Sequence, residues 1–349
     1  MKLMLNPIFQ KAKEQACLAT KATEVFPVVC SLLAPEALIN LLICHYNIDI
    51  PRNCHFWRRG LSDVYVVETL SKLYILRISH HHWRSKTEID FELELLDYLY
   101  HGHIPVAAPI KTRQGHLSVE INAPEGKRYA ALFPYAPGEI ALGDFNATQS
   151  HLLGQTVAKL HQKARGFRPL AYRQALTPEY LLDHSLVSIA PFLHDRVQDL
   201  KYLLTVIAEI KQQLEPLPTY SPYWGICWGD PHSGNVHFTK DNLMTLFDFD
   251  QCGYGWRVFD IAKFLQVSLQ TGLSRKVRDE FIDGYQTVEK LASVELDCLQ
   301  ALTQAAYIWS WAISLNSSKQ YEYSRLDHYY FSQRLQRLKH LQSKDWQLF

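Results

Sequence analysis

The chain has 349 residues, and 36 Lys and Arg stand against 35 Asp and Glu, for a formal net charge of +1. Apolar residues make up 47% and aromatic residues 12%, a balance that predicts a globular chain with a sizeable core and excludes extended disorder. Near-zero charge argues against nucleic acid as the main partner, because neutralising phosphates needs clustered Lys and Arg. The seven cysteines include no C-x-x-C pair, which argues against a disulfide framework or a Cys-rich zinc site and fits a reducing cytoplasm. Residues 25–46 are the most apolar stretch, but Pro27, Pro35, Glu36 and Asn40 interrupt it, so no membrane span is expected there. The first apolar run is too short for a signal peptide, and the expected location is the cytoplasm, with no membrane partner.

Residues 1–50 read as a helical N-terminal extension, in which Ala34-Pro35-Glu36 opens a helix with Leu38, Leu41 and Leu42 near one face. The pattern then changes to period two. Residues 55–59, 64–69 and 73–78 read as strands, with Thr69-Leu70-Ser71-Lys72 as the turn between the last two. Residues 85–100 read as a helix carrying Ile89, Leu93, Leu96 and Leu99 at helical spacing, and strands are expected over 116–121 and 128–135. Ala136-Pro137-Gly138-Glu139 breaks the chain. Helical spacing follows over 147–163, 179–189 and 199–214, gives way to strand and loop near residue 224, and resumes from Arg257. The expected organisation is an extension over 1–50, a small sheet lobe over 51–136 and a larger helical lobe over 137–349 that carries the catalytic loop and the acceptor site.

The chemically informative segment is Trp228-Gly229-Asp230-Pro231-His232-Ser233-Gly234-Asn235, followed by Leu246-Phe247-Asp248-Phe249-Asp250. Asp230 and Asn235 are five apart on a glycine-containing loop, and Asp248 ends an apolar strand eighteen residues after Asp230. Phosphoryl transfer from ATP needs such a set: one carboxylate to orient the acceptor hydroxyl and take its proton, and an amide oxygen and a second carboxylate to hold Mg²⁺ on the triphosphate. D-x-x-x-x-N followed by D-F-x is the kinase order. Either half alone is a weak signal, and the two in sequence behind a sheet lobe are a strong one.

Over residues 55–315 the chain resembles the aminoglycoside phosphotransferase and choline kinase superfamily, which includes type II homoserine kinases and the bacterial stress-response kinases. The resemblance rests on Leu153-Gly154 to Leu160-His161, the G-D-x-H-x-x-N loop, the D-F-D segment, Asp260-Ile261-Ala262, Pro105-Val106-Ala107-Ala108-Pro109 and residues 128–138. It implies a two-lobed, protein-kinase-like α+β fold and roles residue by residue. Asp230 would be the catalytic base or hydroxyl-orienting group. Asn235 and Asp248 would be magnesium ligands. Glu92 would pair with Arg77, which stands where the family usually has Lys; Arg offers a planar fork where Lys offers a point charge. The backbone from Phe133 to Tyr135 would face the adenine. Two further departures are Trp228, where the family usually has His, and a phosphate-covering turn, Arg59-Gly60-Leu61-Ser62-Asp63, with a single glycine.

Other polar groups read as structural. His232 and His237 have no H-x-x-x-H partner for a zinc site, and His232 reads as a loop-fixing residue. Asp250 reads as a hydrogen-bonding group, with a part in metal binding as the alternative, and Asp260 reads as an anchor for the catalytic loop. His80-His81-His82 reads as a solvated connector after a strand, and Lys127-Arg128 as a solvated pair. Of the late aromatic set Tyr307, Trp309, Trp311, Tyr321, Tyr323, Tyr329, Tyr330 and Phe331, most read as core, although in this superfamily late helices also build the acceptor pocket. The function expected from the resemblance is ATP- and Mg²⁺-dependent phosphorylation of a hydroxyl on a small molecule. Two alternatives stay open: a Ser/Thr kinase acting on a protein or peptide, against which stands the absence of a long activation segment between Asp248 and Asp260, and a nucleotide-binding pseudokinase, motivated by Arg77, Trp228 and the glycine-poor turn.

Overall fold

Period-two patterning from residue 53 onward becomes a five-stranded antiparallel sheet of β1 (Asn53–Arg59), β2 (Ser62–Glu68), β3 (Leu73–Ser79), β4 (Val119–Ala123) and β5 (Gly126–Pro134), in the order β1-β2-β3-β5-β4. The computed structural model describes residues 26–141 and 145–348; the first half of the expected N-terminal extension and the Tyr321 side chain lie outside the described residues. The extension's second half supplies α1 (Pro35–His45), opened by Pro35 in its first turn. Leu38, Leu42 and Tyr46 of this segment pack with Tyr65, Val67, Leu76, Ile78 and Leu132 on one face of the sheet, forming a core separate from the main one. Apolar faces on both elements leave water together, which is the dominant favourable term in holding them there.

Between β3 and β4 runs α2 (Lys86–His101). Its start is fixed by a capping box: the Ser85 Oγ accepts from the Glu88 N–H and the Glu88 carboxylate accepts from the Ser85 N–H. The fourth and fifth strands are shifted from the expected 116–121 and 128–135, because their hairpin turns on Pro124-Glu125, with Ala123 opposite Gly126.

After β6 (Glu139–Ile140) the chain becomes mainly helical: α3 (Ala147–Ala164), α4 (His184–Ile189), α5 (Val197–Leu214), and, beyond residue 257, α6 (Val258–Thr271), α7 (Arg275–Val288), α8 (Ser293–Asp297), α9 (Leu299–Tyr321) and α10 (His328–Gln342). The helix expected over 179–189 opens as a widened π turn over Glu179–Asp183 that leads into α4, which ends at Ile189 and gives way to a 3-10 turn over Ala190–Leu193 containing Pro191. Helices α3 and α7 approach so closely that a Cβ on Gly154 would stand 2.0 Å from the Phe281 carbonyl oxygen, and one on Gly284 would stand 2.1 Å from the His151 carbonyl oxygen. No described helix is long and apolar enough to cross a membrane.

Two small sheets carry the loops between them. β7 (Trp224–Cys227) pairs antiparallel with β10 (Gly253–Trp256), and β6 pairs with β8 (Val236–Phe238), which pairs with β9 (Met244–Leu246). β10 escapes the sequence pattern because two of its four residues are glycine. Residues 105–107 lie along β9, with Leu246 N–H donating to Pro105 O and Ala107 N–H to Leu246 O. This stitches the segment after α2 to the strand that leads into Asp248.

Two of the polar readings are corrected. Arg128 is fully buried, not solvated: it donates to Asp63 Oδ2 at 2.8 Å and to the Ser79 and Ser31 carbonyls. His80 is also buried, with its Nε2 3.2 Å from Asp63 Oδ1. Arg59 completes this cluster from the last position of β1. Both Asp63 oxygens thereby carry hydrogen bonds, with Arg59 on Oδ1 and Arg128 on Oδ2, and Cys30 lies beside Asp63 and His80. Lys127 does stay exposed, pairing with Glu120.

Candidate active site

Asp260, at the start of α6, organises the loop that carries Asp230. It is fully buried and accepts the Trp228 N–H and the Gly229 N–H at 2.8 Å each, and His161 on α3 donates to it at 2.8 Å. The other nitrogen of His161 meets the Tyr285 hydroxyl at 2.9 Å. A buried carboxylate is tolerable only when its lone pairs are satisfied in this way. Gly229 has φ 87°, and a Cβ there would stand 2.0 Å from the Gln251 carbonyl oxygen, so the turn into Asp230 requires glycine. Trp228 is buried and stacks on Phe249, and its indole N–H donates to the Asp248 carbonyl at 3.1 Å. It therefore packs the loop beneath the site.

Asp230 presents its two oxygens to different neighbours. Oδ2 accepts from Gln251 Nε2 at 2.9 Å and from Asn235 Nδ2 at 3.3 Å, with His232 Nε2 at 3.5 Å. Oδ1 faces Lys263 Nζ at 3.4 Å. Burial opposes ionisation of Asp230, but Lys263 and His232 outweigh it and hold the carboxyl well below the usual carboxylate range. Asn235 is drawn to Asp230 through its amide nitrogen, and its backbone carbonyl accepts from Phe247 N–H at 3.0 Å, which links the two motif segments directly.

Asp248 stands just beyond β9 with φ 60°, a left-handed conformation that Asp tolerates better than most residues. Its side chain keeps 39% of its surface open and lies 4.0 Å from Arg77 Nη1. Burial in the cleft pushes its pKa up to about 6; Arg77 opposes the shift, while Asp250, Glu92 and Asp230 add to it. Two hard oxygen donors, Asn235 and Asp248, amid this surplus of negative charge fit a divalent cation such as magnesium. Asp250 does not join them: its carboxylate accepts from the Trp83 indole at 2.7 Å and meets Arg84, and its carbonyl accepts from Arg84 and Arg173. Burial disfavours the charge of Asp250, and Arg84, Arg173 and Arg77 pull its pKa below the ordinary value.

Arg77 on β3 meets Glu92 on α2 through two hydrogen bonds of 2.7 Å each. Burial works against the guanidinium charge, but Glu92, with Asp248 and Asp250 beyond it, keeps the proton more firmly bound than usual. Arg77 and Asp248 open onto an apolar cleft whose walls include Val64, Ile75, Phe133, Tyr135 and Phe247. Tyr135 N–H donates to the Leu73 carbonyl at 3.2 Å, and Pro134 has no N–H. Phe133, Pro134 and Tyr135 line the cleft, and the Tyr135 N–H is taken up by the sheet. Trp57 on β1 stacks on Tyr135 at the mouth of the cleft, with centroids 6.1 Å apart.

Sequence reasoning missed Trp57, Gln251 and Lys263. Lys263 had one legible signal: a lone lysine, three residues after Asp260, inside the apolar run of α6. His232 fixes its loop, as read from the sequence, and His237 ties β8 to the segment before β6. His232 Nδ1 accepts from Gly234 N–H, and His237 Nδ1–H donates to the Ala136 carbonyl. Tyr307, Trp309, Trp311 and Phe331 are buried core, whereas Tyr323 and Tyr329 are exposed.

Residues 56–296 match the phosphotransferase enzyme family, and the chain belongs to it. A Synechocystis sp. protein, named uncharacterized protein sll1119, is 57% identical over 346 residues, covering 99% of this chain and 96% of its own length. The amicoumacin kinase of Bacillus subtilis is 30% identical over 218 residues, 59% of this chain and 62% of that protein. Among solved structures, amicoumacin kinase hAmiN in complex with AMP-PNP, Ca²⁺ and Ami shares the fold with a TM-score of 0.71 at 22% identity, over 88% of this chain and 92% of the other. The fold is thus the α+β, protein-kinase-like architecture expected from the sequence.

Proposed function

We propose that this phosphotransferase moves the γ-phosphoryl group of ATP, with magnesium, to a hydroxyl of a small molecule. The observation that carries the reading is that Arg77 and Asp248 line one cleft 4.0 Å apart, with Glu92 bonded to Arg77 and with Asp230, bonded to Asn235, near enough for its charge to act on Asp248. The apolar cleft beside Arg77 takes the nucleotide base, with Trp57, Phe133 and Tyr135 along its walls. Arg77, oriented by Glu92, donates to the phosphates. Asn235 and Asp248 would hold the cation, which would supply positive charge to neutralise the phosphates. Asp230, ionised and held by Gln251, orients the acceptor hydroxyl and takes its proton, a contribution of about 100- to 10,000-fold in rate. Most of the remaining acceleration comes from positioning and fixed charge.

The small-molecule acceptor draws support from the named similar proteins, such as amicoumacin kinase. Against a peptide acceptor stands the short path from Asp248 to Asp260, occupied by β10 and its pairing with β7. Against a pseudokinase stands the full set of carboxylate and amide donors. The lobe limit expected at residue 136 and a location in the cytoplasm are part of the same reading; the extension expected up to residue 50 packs on the sheet through Leu38, Leu42 and Tyr46 and is read together with the sheet lobe.

The test is a thermal shift with Mg·ATP, Mg·GTP and EDTA controls on wild type and Asp248→Asn, followed by an acceptor screen across amino alcohols, sugars and aminoglycosides. A ligand at a hundredfold excess over Kd stabilises the fold by about 2.7 kcal/mol. A magnesium-dependent shift lost in the variant is expected. An active acceptor is then expected to lose turnover in Asp230→Asn while nucleotide binding persists. Full turnover in Asp230→Asn would remove its role as base.

A further inference from the structure

Lys263 is 3% exposed in side-chain terms and sits among the buried apolar residues Ile261, Ala262, Phe264 and Leu265 of α6. Burying an ammonium group is costly unless the charge has work that offsets it. Anchoring the catalytic loop is not that work, because Asp260 already takes the Trp228 and Gly229 N–H groups. Lys263 instead points its Nζ at Asp230 Oδ1, 3.4 Å away, donates to Ser310 Oγ on α9, and lies 5.6 Å from the centroid of the Trp309 ring. Ser310 in turn donates to Gln266 Oε1, and Gln266 Nε2 to Gln270 Oε1, so a polar chain runs from the ammonium group through the buried Gln266 to Gln270 at the surface.

Its placement is specific. Asn235 and Gln251 occupy Oδ2 of Asp230, whereas Lys263 occupies Oδ1. Arg77 is engaged by both Glu92 oxygens, and Arg84 and Arg173 are directed at Asp250. Lys263 is thus the cation set against Oδ1 of Asp230, while His232 Nε2 lies 3.5 Å from Oδ2, and an ammonium group carries three donors, one more than Ser310 and Asp230 use.

We propose, building on the phosphotransferase reading, that Lys263 is a further catalytic residue of this chain, one that donates to the phosphoryl group during transfer while steadying Asp230. In that step the acceptor oxygen forms its bond to Pγ as the bond from Pγ to the bridging oxygen breaks. The electron pair leaves on ADP, the hydroxyl proton passes to Asp230, and Lys263 keeps its own protons throughout. A donor fixed in advance where charge moves contributes without reorganising.

An acyl-phosphate derivative of ATP tests this without an acceptor, because it acylates lysine amines beside the bound phosphates and leaves the Arg77 guanidinium unmodified. The expected result is an acyl group on Lys263, located by peptide mass spectrometry and suppressed by excess Mg·ATP. The companion measurement is Mg·ATP turnover to ADP and phosphate with water as acceptor. Lys263→Met is expected to lower kcat by about 100-fold, the effect of deleting one such donor, with KM for ATP unchanged and Lys263→Arg recovering part of the loss. An unlabelled Lys263 in a protein whose melting temperature still rises with Mg·ATP overturns the inference and leaves the phosphotransferase reading intact, as does full turnover in Lys263→Met. No thermal shift and no displaceable label in wild type would remove both.

Discussion

Arg77 and Glu92 are joined by both arms of the guanidinium fork, at 2.7 Å each, across the gap between β3 and α2. A lysine at this position would supply a point charge and a single directed bond in place of the fork. Arg77→Lys is therefore expected to keep the fold and weaken Mg·ATP binding by about 1–3 kcal/mol, the range of a charged hydrogen bond. Isothermal titration checks it, and an unchanged Kd would mean that Arg77 does not touch the phosphates.

The ordinary carboxylate value for Asp248 is 3.8, and in the fold it rises to about 6. A raised pKa means that the ionised folded state is disfavoured, so this group's contribution to stability is present below pH 3.8 and is lost as pH rises through about 6. A cation at the site favours the ionised form, so Mg²⁺ binding should strengthen as pH rises across the same window. Thermal melts with and without Mg·ATP at pH 5 to 8 are expected to diverge upward with pH, and Asp248→Asn to flatten the divergence.

Asp260 serves three donors, the N–H groups of Trp228 and Gly229 and the His161 ring. Asp260→Ala leaves all three unpaired in the core. The expected cost is about 3–5 kcal/mol of stability, the range for removing one partner from a buried charged pair, read from urea denaturation, with turnover lost along with it. Gly229→Ala is expected to act the same way through its clash with Gln251.

The buried Asp63–Arg128 pair makes a separate prediction. Burial opposes ionisation of Asp63, and His80, Arg59 and Arg128 hold its pKa well below the ordinary carboxylate range. The depressed value means that its stabilisation is present above the ordinary carboxylate pKa and is lost only in strong acid. Asp63→Asn is expected to destabilise by about 3–5 kcal/mol at neutral pH, as measured by chemical denaturation.

Much of this site was legible in the sequence because its chemistry is local. Asp230 and Asn235 share one loop, and Asp248 follows a short apolar strand. The Arg77–Glu92 pair was legible only through the family resemblance, since a glutamate beside Glu88, Asp90 and Glu94 reads otherwise as a solvated charge. Arg128 and His80 were misread because their partner, Asp63, is remote in sequence, and burial of a charge depends on what folds over it. Lys263 and Gln251 reach Asp230 from separate segments, a convergence that no spacing rule encodes. β10 escaped because glycine carries no alternation to read.

The helix over Pro35–His45 gives the family match a boundary problem. The matched span begins at residue 56, but Leu38, Leu42 and Tyr46 cover Tyr65, Val67, Leu76 and Ile78. Just upstream, Ser31 is bonded to Glu125 and its carbonyl receives Arg59 and Arg128 at the root of the β1–β2 turn. A polypeptide trimmed to the matched span would carry a greasy sheet face into water and leave Arg128 short of an acceptor, inviting self-association of the kind exposed apolar patches produce. The smallest autonomous unit therefore reaches back at least to the Ser31 segment, and the region that defines kinship in this family is shorter than the region that must fold together.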